Sequence, residues 1–107
     1  MDFAVYATWE FEGLVPVGQQ EALGDVVGRL SGQTCIYVDQ VNEAVLHATF
    51  DVQADDYDAA LSAALNALRS TAAEEGLLGH LREVVAMTEE GQLRWAPPHD
   101  GPSAAHA

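Results

Sequence analysis

Lysine is absent from this 107-residue chain, and its four basic residues are all arginine: Arg29, Arg69, Arg82 and Arg94. Against them stand 17 acidic residues, for a formal net charge of -13. Binding nucleic acid through its phosphates needs clustered cations, so no direct nucleic-acid binding is expected. Cys35 is the one cysteine, which rules out a disulfide within the chain. No apolar run approaches the ~20 residues of a membrane-spanning helix, so no membrane partner is expected. The opening MDFAVYATW has no basic region leading into a long apolar stretch. It does not read as a secretory signal, and cytoplasmic residence is the default expectation.

Motifs for chemistry are equally sparse. His47, His80, His99 and His106 form neither HxxxH nor HExxH, and there is no CxxC. No metal site is therefore expected. No Walker A or GxGxxG stretch occurs, so no nucleotide or other cofactor is expected. The acids at Asp55, Asp56 and Asp58 lack the glycine and terminal glutamate of a calcium loop, and read as a helix start with Asp55 as N-cap.

What is present is a packed domain: 49% of the residues are hydrophobic, too many for a disordered chain. The length implies one domain, placed at residues 1–95, with a disordered tail over 96–107. The charge is no tail effect. Residues 1–53 hold eight acids and one arginine, and residues 54–107 hold nine acids and three.

Hydrophobic periodicity alternates along the chain. Phe3, Val5, Ala7, Trp9 and Phe11 share one face of a strand, with Tyr6, Thr8 and Glu10 on the other. Over 19–31 the period becomes helical, with Leu23, Val26, Val27 and Leu30 on one face and Ser31-Gly32 as the stop. Gly24 and Gly28, four apart, suggest a helix that approaches a sheet closely. Residues 34–39 alternate again, followed by a strand over 44–52 with Leu46, Ala48 and Phe50 inward. A second helix carries Leu61, Ala64, Leu65, Leu68 and Ala72, and Glu74-Glu75-Gly76 ends it. A strand over about 81–88 follows, and Glu90-Gly91 turns the chain toward a short extra strand at Gln92–Trp95.

The order β-α-β-β-α-β predicts an α+β domain of the ferredoxin-like kind: a four-stranded antiparallel sheet with both helices on one face. An internal echo supports it. Tyr6-Ala7-Thr8-Trp9-Glu10-Phe11 matches His47-Ala48-Thr49-Phe50-Asp51-Val52 in character, as two structurally equivalent halves would.

The face of the sheet away from the helices is then the informative surface. It is expected to carry Tyr6, Thr8, Glu10, Cys35, Tyr37, Val45, His47, Thr49 and Asp51, joined by Val84 and Ala86. Such a face is too apolar for a solvated surface and too polar for a core. Three readings follow. The leading one is a small acidic, non-enzymatic interaction or regulatory domain, homodimeric through this face, whose outer acids could recruit a basic protein partner. The second is a small-ligand site or enzyme built on Glu10, His47 and Tyr6. With a pseudo-twofold centred near Thr8 and Thr49, Glu10 lies opposite His47 and Tyr6 opposite Asp51, with Cβ atoms ~5 Å apart. A carboxylate beside an imidazole can orient it as an acid or base. The third is an acidic inhibitor that imitates nucleic acid.

Overall fold

The computed structural model describes residues 1–29 and 34–97. Seven elements follow one another: β1 (Asp2–Glu10), α1 (Gln19–Gly28), β2 (Thr34–Val38), β3 (Val45–Gln53), α2 (Tyr57–Glu75), β4 (His80–Thr88) and β5 (Gly91–Trp95). The strands form one antiparallel sheet in the order β2-β3-β1-β4-β5. The expected four strands are thus five. Glu89-Glu90 closes a tight hairpin, and β5 pairs with β4 from Val84↔Trp95 to Thr88↔Gly91. Leu30 and the Ser31-Gly32 stop lie outside the described residues, as does the tail from residue 98 on. No described helix is long and apolar enough to cross a membrane.

Period-two patterning sends alternate residues to opposite faces. Phe3, Val5, Ala7 and Trp9 of β1 pack with Leu46, Ala48 and Phe50 of β3 and Val84 and Ala86 of β4. Leu23, Val26 and Val27 of α1 and Ala60, Leu61, Ala64 and Leu68 of α2 complete this core. Ala7 lies directly opposite Ala48, with Val5 opposite Phe50 and Trp9 opposite Leu46. The pseudo-twofold of the echo therefore centres on Ala7–Ala48, one pair away from the expected Thr8–Thr49. Pairing small with small and large with large keeps both strands evenly filled under the helices.

Several local expectations change. The N-cap of α2 is Asp56, whose carboxylate accepts from the Ala59 N–H at 2.8 Å, rather than Asp55. Gly76 ends this helix in the left-handed region at φ 73°, where glycine carries no Cβ penalty. Glu74 and Glu75 oppose the dipole at this end. Arg29, just past α1, offsets them by pairing with both carboxylates. Val84 and Ala86 face the core rather than the open face, and Val85 and Met87 occupy their expected places there. A bulge between Thr8 and Trp9, opposite Arg82, resets the phase of β4.

Gly24 and Gly28 do not mark a close helix–sheet approach, because a Cβ added at either meets nothing within 4 Å. Gly24→Ala is therefore expected to stabilise the fold by about 0.5–1 kcal/mol, through helix propensity and a less flexible unfolded chain. The midpoint of urea unfolding measures this, and a decrease would contradict the open space at that position.

Two adjacent glutamines at the start of α1 fasten it to its neighbours on two sides. Gln19, nearly buried, donates to the Gly76 carbonyl at 3.3 Å and accepts from the Leu78 N–H at 2.6 Å. Gln20 donates from Nε2 to the Ile36 carbonyl at 3.3 Å. Ile36 sits on β2, at the edge of the sheet.

Candidate functional site

The five strands present their outward residues in rows across the open face. One row runs Cys35, Thr49, Tyr6, Val85, Arg94. The next toward the β1 C-terminus runs Tyr37, His47, Thr8, Glu83, and beyond it Val45 lies opposite Glu10. On the other side lie Asp51, Ala4, Met87 and Gln92. All nine residues expected here occupy this face. The register differs by two residues from the one expected, a shift that preserves every side-chain direction.

That shift separates the proposed catalytic pair. Thr8, rather than Glu10, lies opposite His47, and Thr49, rather than Asp51, lies opposite Tyr6. The Glu10 carboxylate instead pairs with Arg82 Nε at 3.3 Å, both groups being well exposed. Such a pair contributes little to stability. His47 has found other partners. Its Nε2–H donates to Asp39 Oδ2 at 2.9 Å, and its Nδ1 lies 3.3 Å from Thr8 Oγ1. In the neutral ring the Thr8 hydroxyl donates to Nδ1; in the protonated ring Nδ1–H donates to Thr8 Oγ1. Both charge states are accommodated without moving the ring. Tyr37 lies against the imidazole, with ring centroids 4.9 Å apart.

Asp39 is the member that the sequence reading left out of the site. Its position is dictated by the turn after β2. One carboxylate oxygen, Oδ1, accepts from the N–H groups of Val41 (2.8 Å) and Asn42 (2.9 Å), and Oδ2 faces His47. The signal was available: Asp39 continues the Cys35-Tyr37 alternation by one more step onto the same face. The hydrogen bond from His47, reinforced by the N–H groups of Asn42 and Val41, lowers the Asp39 pKa to about 2. A carboxyl lowered from its unfolded value of 3.8 adds stability that is fully present above that value. It is lost as pH falls through about 2. The side-chain carboxyl resonance of Asp39 should titrate in that low range, and His47→Phe should move its midpoint toward 3.8. An unchanged midpoint in the variant would remove His47 as the main cause.

Around this polar cluster the face mixes aromatic and aliphatic side chains (Tyr6, Val45, Val85, Met87) with polar and charged ones (Thr49, Asp51, Gln92, Arg94). Tyr6 is 43% exposed and Tyr37 42%. Val85 is 8% exposed, although it points away from the helices, and lies between Tyr6 and Arg94 in its row. A shallow cavity of about 290 Å³ lies between Tyr6, Cys35, Thr49 and Asp51, on the side of the Tyr6 row away from His47. Arg94 pairs with Glu83, so Arg82 and Arg94 both stand at the β4–β5 side. Sequence reasoning missed Val85, Met87, Glu83 and both arginines, since the phase of β4 was ambiguous between its two faces. Comparison with protein-family models, with curated proteins and with solved structures found no match to this chain.

Proposed function

We propose that this chain is a small protein-interaction domain that joins a second copy of itself through the open sheet face. One observation carries the reading. Tyr6, Val85, Met87 and Tyr37 gather on one face of a sheet whose other face is already covered by helices. Aromatic and aliphatic centres with a polar border are the anatomy of an interface. Charges of both signs on this face fit a second copy as occupant. Of the 17 acids, seven (Asp2, Glu10, Asp39, Asp51, Glu83, Glu89, Glu90) stand on or beside this face, together with two of the four arginines. We read the architecture as a ferredoxin-like sandwich extended by β5, a reading supported by the neighbours β2-β3-β1-β4 within the sheet.

Sedimentation equilibrium tests the proposal. The wild-type chain is expected to dimerise in the micromolar range. Tyr6→Glu, which buries a charge at the centre of the contact, is expected to raise the dissociation constant at least 100-fold with an unchanged far-ultraviolet spectrum. A wild-type chain that stays monomeric at several hundred micromolar refutes it.

A second reading, a small-ligand or proton-transfer site on the same face, has the fixed imidazole of His47 in its favour. Its expected partners Tyr6 and Glu10 stand on neighbouring rows, and Glu10 is engaged by Arg82. Chemical-shift changes centred on His47 with a small-molecule library would favour it over dimerisation.

A further inference from the structure

We propose that Thr8 is an acyl-accepting nucleophile, activated by His47 and served through it by Asp39, with activated aryl esters of small carboxylic acids as its substrate class. The site belongs to the single chain and stands apart from the dimer reading. It grows from the register between β1 and β3. The same shift that removes Glu10 from His47 puts a hydroxyl in its place.

Nucleophilic chemistry by a hydroxyl needs the hydroxyl, a base within hydrogen-bond reach, and a third group that orients the base. All three stand together here. Thr8 Oγ1 lies 3.3 Å from His47 Nδ1, and His47 Nε2 lies 2.9 Å from Asp39 Oδ2. Asp39 is itself fixed, because its other oxygen accepts from the N–H groups of Val41 and Asn42. Its carboxylate selects the neutral tautomer with the proton on Nε2, which leaves the Nδ1 lone pair for the Thr8 proton. Tyr37 packs against the ring and limits its rotation. The group is open to a substrate, since Thr8, His47 and Asp39 are all partly exposed. The exposed ring of Tyr6, two residues away on the same face of β1, offers a flat surface for an aryl group.

In the reaction Thr8 Oγ1 attacks the ester carbonyl carbon as its proton passes to His47 Nδ1. The Asp39 carboxylate stabilises the imidazolium that forms. The tetrahedral adduct then breaks its bond to the phenolic oxygen, which leaves with the electron pair and takes the proton from Nδ1. The products are a phenol and the Thr8 ester. Backbone N–H groups of a sheet lie in its plane and are engaged in the ladder, so they do not point at a developing oxyanion above the face. This restricts the substrate to esters with good leaving groups. It also makes hydrolysis of the Thr8 ester slow, so the acylated chain accumulates.

The experiment incubates the chain with p-nitrophenyl acetate, follows p-nitrophenol release and intact mass, and maps the acetyl group by peptide fragmentation. The absence of lysine leaves the Met1 amine and the exposed Cys35 thiol as competing strong nucleophiles, and Cys35→Ser removes the second. Dilution below the dimerisation range keeps a second copy off the face, and sedimentation judges the dimer separately. In the Cys35→Ser chain the acetyl group is expected on Thr8, lost in Thr8→Val and retained in Thr8→Ser. His47→Gln is expected to slow acylation at least about 100-fold. Asp39→Asn is expected to do the same while keeping the turn. Its oxygen stays with the Val41 and Asn42 N–H groups, its amide N–H donates to Nε2, and the ring proton moves to Nδ1, where it blocks acceptance from Thr8. The ring-nitrogen chemical shifts of His47 report this change of tautomer, which a merely structural role for Asp39 would not produce. A chain that gains no acetyl group on Thr8, or gains it equally fast in His47→Gln, overturns the proposal and leaves the dimer reading untouched.

Discussion

Gly79→Ala is expected to cost the fold about 3 kcal/mol or more, the combined effect of backbone strain and overlap. Gly79 has φ 84°, in the left-handed region that L side chains rarely adopt. A Cβ there would lie 2.8 Å from Phe11 Cε2 and 3.0 Å from the Glu10 carbonyl oxygen. Phe11 belongs to the buried core, and the Glu10 carbonyl is backbone at the end of β1, so neither can retreat cheaply. The position also matters for the open face. Gly79 immediately precedes β4, whose first residues set the bulge at Thr8/Trp9 and bring Arg82 to Glu10. Denaturant unfolding measures the loss, and a cost below 1 kcal/mol would show that the turn adopts another conformation without penalty. On the proposed dimer reading, a disturbed β4 also lowers the dimer population of the variant.

Leu23→Ala is expected to destabilise the protein by about 3 kcal/mol, within the usual range for a buried leucine. The reasoning starts from how little else holds α1. Its ten residues include two glycines, and its N-cap, Gly18, makes no side-chain cap bond. Isolated helices of this length do not form in water. The helix therefore depends on Leu23, Val26 and Val27, all fully buried, and on the two hydrogen bonds of Gln19. Removing Leu23 takes away about a third of that apolar anchor. Amide exchange in α1 should accelerate more than in β1, because the helix can open without the sheet. Adding Gly24→Ala should return part of the lost stability. Uniform acceleration throughout the protein would mean that α1 and the sheet unfold as one unit.

Much of this architecture was legible in the alternation of the chain. Strand faces on β1, β2 and β3 follow directly from residue type, because apolar side chains recur at every second position. The register between β1 and β3 was not legible in the same way. Sliding one strand by two residues keeps all faces unchanged, so amphipathicity cannot tell Glu10–His47 from Thr8–His47. The connections decide it, with Phe11 N–H bonded to the Ala44 carbonyl beyond the last pair. Strand β4 was opaque for another reason. Val84, Val85 and Ala86 are all buried, so the pattern has no polar beat, and the bulge beside Arg82 interrupts what remains. Asp39 escaped notice as a site residue because its role depends on a turn that orients both carboxylate oxygens at once.

The bond from Gln20 to Ile36 bears on how far self-association can go. Ile36 and Ala48 form a pair without mutual hydrogen bonds, so the Ile36 carbonyl points out along the free margin of β2. Left bare, that margin is a template on which another strand could add, and each addition would expose a new one, leading to a filament without a natural end. A glutamine amide already sits on the template's carbonyl. Growth in the plane of the sheet is discouraged at this edge, and the contact proposed across the face, being mutual, closes once made. On the proposed reading, such a chain pairs and then stops.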